Sequence, residues 1–372
     1  MQLTPGKLLG MRRMSDDKGL FKMVAADQRP PITGHIAKQL GLAEAPWDEV
    51  AKFKAEIVTQ LQGASSAILL DPYYGIPAAF DKLASDKGLV VTLEDSVFSE
   101  STAGRFSKNI DHWTVNKIKR LGGDAVKVLV WYRPDASSEN LVFQQDYVKR
   151  IGEECQRFDI PFLLELLLYP LADEATKSTG YAEMKEKNSD LVLASIEEFA
   201  KEEYGVDLFK LESPVNANMI NSSGNVQELF NEMGRLAGRP WVMLSAGAGK
   251  ENFQNILLHA FQAGASGFLA GRAIWQASFL AYPNWQKITH GLSSDGYSYL
   301  QKISKIADKE ALPWMSHRCY GNQGAALCQA FCFPLKELAR SSLPCASSPC
   351  PRMCSTLPVQ QVKIQNRNIS LS

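Results

Sequence analysis

The chain has 372 residues, with 40 Lys and Arg against 40 Asp and Glu, 45% apolar and 22% charged residues. Zero formal charge argues against a nucleic-acid partner, which needs a basic excess to meet phosphates. The composition is that of a folded globular protein, and no apolar run reaches the ~20 residues of a membrane span. The opening residues MQLTPGKLLG lack a long apolar stretch, so no signal peptide is expected.

Along residues 20–312, short apolar runs alternate with longer stretches of helical period. The runs are FKMVAAD from Phe21, SSAILLD from Ser65, LVVTLED from Leu89, AVKVLVWY from Ala125, PFLLELLLY from Pro161, VDLFKLES from Val206, PWVMLSAG from Pro240 and ASGFLAGRA from Ala265. Their near-continuous hydrophobicity suits parallel strands buried on both faces. Amphipathic helices are expected over residues 47–62, 141–158, 191–204, 226–236, 251–263 and 297–309. Gly205, Gly238 and Gly264 stand where three of them should stop. Residues 28–46 read as a long first loop and 96–112 as an insertion. Eight strand–helix pairs predict a (β/α)₈ barrel over residues 1–314. The rival is an open doubly wound sheet, but DQRPP after the first run has no glycine for its phosphate fingerprint.

After Trp314 the period disappears. Of the seven cysteines only Cys155 precedes Cys319. A body with one cysteine fits a reducing cytoplasm without disulfides. Residues 315–372, rich in Cys, Ser and Pro, read as an irregular, flexible extension. His317, Cys319, Cys328 and Cys332 could supply one zinc ligand each, but their spacing matches no common module. None of the five histidines lies in a predicted strand, so neither metal nor cofactor is expected.

Barrel enzymes carry their chemistry at the C-terminal ends of the strands. Four charged residues lie inside or at the end of the apolar runs: Asp27 closes the first run, Lys127 lies between Val126 and Val128, Glu165 between Leu164 and Leu166, and Lys210 between Phe209 and Leu211. Buried charges of this kind cost energy unless compensated. The bland reading is a layer of structural ion pairs. The sharper one is amine chemistry. A free lysine of pKa about 10.4 is only about 0.04% neutral at pH 7, and a shift to about 8 would raise that to roughly 10%. Burial and a second ammonium would favour that shift, leaving an amine able to attack a ketone. Glu165, in an apolar strand, is expected to have a raised pKa suited to proton transfer. After the seventh and eighth runs, Ser245, Gly247, Gly271 and Arg272 occupy the usual phosphate-binding loops of a barrel.

AADQRP, SSAILLDPYYGIP, DAVKVLVWY, IGEECQRFDIPFLLELLLY, VDLFKLESPVN, LSAGAGKENF and GASGFLAGRAIW, in that order, resemble the tagatose-1,6-bisphosphate aldolases. The resemblance covers roughly residues 15–315 and implies a class I, Schiff-base aldolase that is metal-independent. It implies cleavage of a phosphorylated ketohexose, tagatose 1,6-bisphosphate, to dihydroxyacetone phosphate and glyceraldehyde 3-phosphate. Carried over, Lys210 is the Schiff-base lysine and Glu165 the proton-transfer residue. Lys127 and Asp27, with Gln28, line the substrate, and Ser245, Gly247, Gly271 and Arg272 bind a phosphate. The family also holds 6-deoxy-6-sulfofructose-1-phosphate aldolases with the same catalytic set, and Arg29 and Arg105 are candidates for selecting the distal anion. A barrel that binds phosphosugars without turnover is the alternative from another class. The only partner expected is the sugar phosphate, with self-association left open.

Overall fold

The computed structural model describes residues 3–171, 188–222 and 224–320. Eight parallel strands close a barrel: β1 (Phe21–Ala25), β2 (Ala67–Leu70), β3 (Gly88–Thr92), β4 (Ala125–Trp131), β5 (Phe162–Leu167), β6 (Leu208–Leu211), β7 (Trp241–Met243) and β8 (Gly267–Ala270). They are the eight apolar runs of the sequence in order. Each pairs with its sequence neighbour, and β1 pairs with β8 to close the ring. Closure brings Gly267 beside Phe21. At φ +145° a side chain there would be strained, and a Cβ would lie 1.9 Å from the Phe21 carbonyl oxygen.

The outward face of the strands, with Val24, Ile68, Val91, Val126, Val128, Leu164 and Phe209, packs on the surrounding helices. The helices Trp47–Leu61, Ser138–Arg157, Ser189–Phe199, Val226–Ala237, Lys250–Gln262 and Tyr297–Glu310 match the expected ones to within a few residues. Local chemistry sets their ends. Ser137 Oγ accepts from Asn140 N at 3.2 Å to cap one helix, and Gly238 closes another in the left-handed conformation. Among the described residues no helix is long and apolar enough to cross a membrane.

One loop expectation needs correcting, and the expected insertion takes a definite form. Residues 28–46 contain a helix, Pro30–Leu40. Its two prolines occupy the first turn, where an absent N–H costs nothing. Residues 96–112 contain a two-stranded antiparallel hairpin, Ser99–Ser101 with Gly104–Phe106.

The barrel's lower end is plugged from both ends of the described chain. Leu3, Met11 and Met14, in and beside the helix Pro5–Met14, join Trp314 and Tyr320 beneath Phe21, Met23, Ala67, Val90, Leu163, Leu208 and Val242. Tyr320 is buried and donates to the Asp207 carbonyl at 3.1 Å. Packing on the barrel therefore continues past residue 314. The rest of the expected extension, residues 321–372, lies outside the described residues.

Candidate active site

Inside the barrel the strand alternation of period two builds layers. Above the apolar floor the next inward residues are polar: Asp27 follows Ala25, Thr92 follows Val90, Lys127 follows Ala125, Glu165 follows Leu163 and Lys210 follows Leu208. Above them Leu129, Trp131, Leu167, Tyr169 and Leu244 form a second apolar layer. The charges are thus enclosed between two apolar layers. Asp27, Lys127, Glu165 and Lys210 are all at most 6% exposed.

The four residues anticipated from sequence meet in one network. Glu165 bridges the two lysines, with Oε1 2.8 Å from Lys210 Nζ and Oε2 2.7 Å from Lys127 Nζ. Register explains the first contact, since Glu165 and Lys210 are neighbours across β5 and β6. Lys127 Nζ also donates to Asp27 Oδ2 at 2.8 Å. Its third carboxylate was not anticipated: Glu94, just past the end of β3, accepts from Lys127 at 2.6 Å. The usable signal was the alternation Val90, Thr92, Glu94 within LVVTLED.

Burial works against the charge of Asp27, yet Lys127, Lys210 and Arg29 outweigh it and hold that carboxyl well below the usual range. Glu94 goes the other way. Burial pushes its pKa up, the nearby charge of Asp27 adds to that, and the attraction of Lys127 and Arg29 does not fully compensate.

Arg29 is buried and turned toward β3, where Nη2 donates to the Glu94 carbonyl at 3.0 Å. Its Nε and Nη1, with Asp27 Oδ1 and Gln28 Oε1, are buried and have no hydrogen-bond partner among the described residues. Ser245 and Gly247 follow β7, and Gly271 and Arg272 follow β8. Ser245 is buried, and a Cβ built on Gly247 would lie 3.3 Å from Arg272 Nη1. Gly271 begins the helix Arg272–Phe279, where a Cβ would come within 2.7 Å of the Ala25 carbonyl and 2.8 Å of Gln28 Nε2. The missing side chain lets β8 approach the first loop.

Arg105 does not stand open to a ligand. It is fully buried, its guanidinium 4.5, 4.7 and 5.0 Å from the rings of Phe98, Trp131 and Tyr169, with Nε donating to Glu100 at 2.9 Å. That cage fastens the hairpin over β4 and β5. His317 shares a hydrogen bond of 3.0 Å with Ser266 Oγ. Among the described residues no group of three or more His, Cys, Asp or Glu is placed to hold a metal. Cys328 and Cys332 of the conjectured zinc set lie outside them.

A closed parallel barrel with a charged layer in its interior, on the C-terminal side of an apolar floor, is the architecture of a (β/α)₈ enzyme. The model of the DeoC/LacD family aldolases matches residues 21–277. The chain is 34% identical over 327 residues to a tagatose 1,6-diphosphate aldolase of Listeria monocytogenes, covering 84% of this chain and 95% of that one. It is 32% identical over 329 residues to tagatose 1,6-diphosphate aldolase 2 of Streptococcus agalactiae, covering 84% and 99%. Solved structures share the fold. A fructose-bisphosphate aldolase from Plasmodium falciparum superimposes with a TM-score of 0.61 at 11% identity, covering 84% of this chain and 97% of that one. A Schiff-base-forming fructose-1,6-bisphosphate aldolase gives 0.51 at 14%, covering 80% and 98%. The chain belongs to the DeoC/LacD family of aldolases.

Proposed function

We propose that this aldolase cleaves a phosphorylated ketohexose, tagatose 1,6-bisphosphate, to dihydroxyacetone phosphate and glyceraldehyde 3-phosphate through a Schiff base on Lys210. The observation that carries the reading is the Glu165 carboxylate bridging two buried lysines. One contrast favours Lys210 over Lys127 as nucleophile. Lys127 meets three carboxylates, whereas Lys210 meets only Glu165 within ion-pair distance among the described residues. An ammonium with all three N–H groups matched has no lone pair to offer.

In this reading Lys210 Nζ attacks the C2 carbonyl, and loss of water gives an iminium ion. Glu165 takes the proton of the C4 hydroxyl. The C3–C4 bond breaks, its electron pair moves into the enamine, and the aldehyde leaves. Return of a proton to C3 and addition of water at C2 release dihydroxyacetone phosphate and restore the amine. No metal enters these steps. Asp27 Oδ1 and Gln28 Oε1 are acceptors suited to sugar hydroxyls. Arg29 Nε and Nη1 are donors suited to an anion at one end of the substrate. Ser245, Gly247, Gly271 and Arg272 would take the phosphate at the other end, in the loops after the seventh and eighth strands that barrels commonly use for this.

Borohydride reduction in the presence of dihydroxyacetone phosphate tests the assignment. Mass spectrometry should find the adduct on Lys210, and an adduct elsewhere or none at all refutes it. Lys210→Ala should lose cleavage by at least ~10³-fold, while EDTA leaves the wild type unaffected. A coupled assay comparing tagatose 1,6-bisphosphate, fructose 1,6-bisphosphate and 6-deoxy-6-sulfofructose 1-phosphate ranks the substrates. Binding of all three without release of a triose would favour the non-catalytic alternative.

A further inference from the structure

Glu94 lies two residues beyond β3 on the inward-facing alternation and is 4% exposed. Its contact with Lys127, 2.6 Å, is the shortest of that lysine's three carboxylate contacts. Thr92 Oγ1 lies 3.1 Å from both carboxylate oxygens of Glu94. The main-chain carbonyl of Glu94 accepts from Arg29. One residue thus anchors Lys127 by its side chain and Arg29 by its backbone, at a place that neither the motif nor the ion-pair logic of the two lysines demands.

An ammonium offers three N–H donors, and a neutral amine offers two and a lone pair. Among the described residues three carboxylates stand around Lys127. A neutral Lys127 would point its lone pair at one of them, so the arrangement selects the ammonium. Without the charge of Glu94, two carboxylates remain, and one of these, Glu165, is shared with Lys210. Lys127 would then draw more heavily on Glu165, whose lone pairs would be less available to a substrate hydroxyl.

We propose that Glu94 is a positioning residue that satisfies Lys127 as an ammonium and thereby leaves Glu165 available for proton transfer beside Lys210. The proposal rests on Lys210 and Glu165 acting as described above. Glu94 acts only while ionised. The groups facing it are Asp27 and Arg29 from the end of β1, Lys127 from β4, Glu165 through Lys127, and Tyr147 from the helix Ser138–Arg157. On its own segment stands Asp95, 3.9 Å from Lys108 beyond the hairpin. Burial raises the pKa of Glu94, so it takes up a proton at a higher pH than an ordinary carboxylate. As pH falls, the third carboxylate is lost and kcat should fall with it.

The experiment is the pH dependence of kcat and KM for wild type, Glu94→Gln and Glu94→Asp, with borohydride trapping of each. The wild type should show an acid limb in kcat above the ordinary carboxylate pKa of about 4.3. Glu94→Gln should lower kcat at neutral pH by at least about tenfold with little change in KM, and should lack that limb. Glu94→Asp should recover part of the rate and restore the limb. All three should still be trapped at Lys210. A Gln variant with wild-type kcat, or one with a lower kcat and an unchanged acid limb, overturns the proposal. So does a wild type whose kcat is flat to pH 4, a measurement that stands even if the Gln variant fails to fold. Absence of a Lys210 adduct in the wild type would instead refute the Schiff-base reading itself.

Discussion

Lys127 and Lys210 sit on adjacent sectors of one barrel layer, and their surroundings divide their tasks. Each approaches Glu165, but Asp27 and Glu94 close on Lys127 as well. A cluster this buried is costly to assemble, and such costs recur where chemistry needs tuned groups. Glu94 makes the cost measurable. Its pKa is higher in the folded chain than in the unfolded one, so the folded state holds the proton more tightly. That contribution to stability is complete below the unfolded value and is lost as pH rises through the folded one. Glu94→Gln should therefore melt at or above the wild-type temperature at pH 8. Its advantage should shrink as pH is lowered toward the ordinary carboxylate range. Thermal melts of both proteins from pH 5 to pH 8 check this, and a Gln variant with the larger deficit at pH 8 contradicts it.

At the scale of elements, the two ends of the barrel have separate duties. The upper rim carries polar groups, whereas the helix Pro5–Met14 closes the lower end and brings Lys7 onto Asp207, at 2.7 Å and with both side chains at most 3% exposed. Asp207 also accepts from Phe162 N at 2.9 Å, which ties the starts of β5 and β6 to the cap. Removing one partner of a buried pair leaves the other charge unmatched. Lys7→Met should cost about 3–5 kcal/mol in urea unfolding and leave kcat/KM nearly unchanged, because the pair lies at the opposite end from Lys210. Lys7→Met with Asp207→Asn should recover part of that loss, and strict additivity of the two substitutions would argue against the coupling. Burial alone pushes Asp207 up, so an orphaned Asp207 would take up a proton more readily still.

For the whole molecule, the closing residues of the described chain belong to the barrel's own core. Trp314 and Tyr320 pack beneath the strands, and Trp314 Nε1 donates to Ser15 Oγ at 3.2 Å. The compact unit runs Met1–Ala326, and the family match ends at residue 277. We propose that the barrel alone suffices for turnover. A chain stopped after Ala326 should keep its melting temperature and cleavage rate. One stopped after Pro313 should lose several kcal/mol, since it uncovers the floor by removing two large buried aromatic side chains. Equal stability of the two truncated chains would remove Trp314 and Tyr320 from the account of the core.

The eight strands were legible in the chain alone, because doubly buried parallel strands must be continuously apolar, and a charge within or closing such a run is conspicuous. Asp27, Lys127, Glu165 and Lys210 were legible for that reason. Glu94 was marked only by the alternation Val90, Thr92, Glu94: it stands after the last ladder residue, beside Asp95, where a strand's period need not continue. The helix after Arg29 was hidden by its two prolines, which mark a loop or a first helical turn equally well. The hairpin was hidden because Ser99–Ser101 has no apolar face, and its stability comes from Arg105 caged by rings of distant segments. Closure of the barrel decided the rest. Only when β1 meets β8 do Gly271 and Gln28 approach, and only closure together with the register of β3, β4 and β5 brings Asp27, Glu94 and Glu165 to one ammonium. Those are distances between segments far apart in the chain, and local patterning carries no information about them.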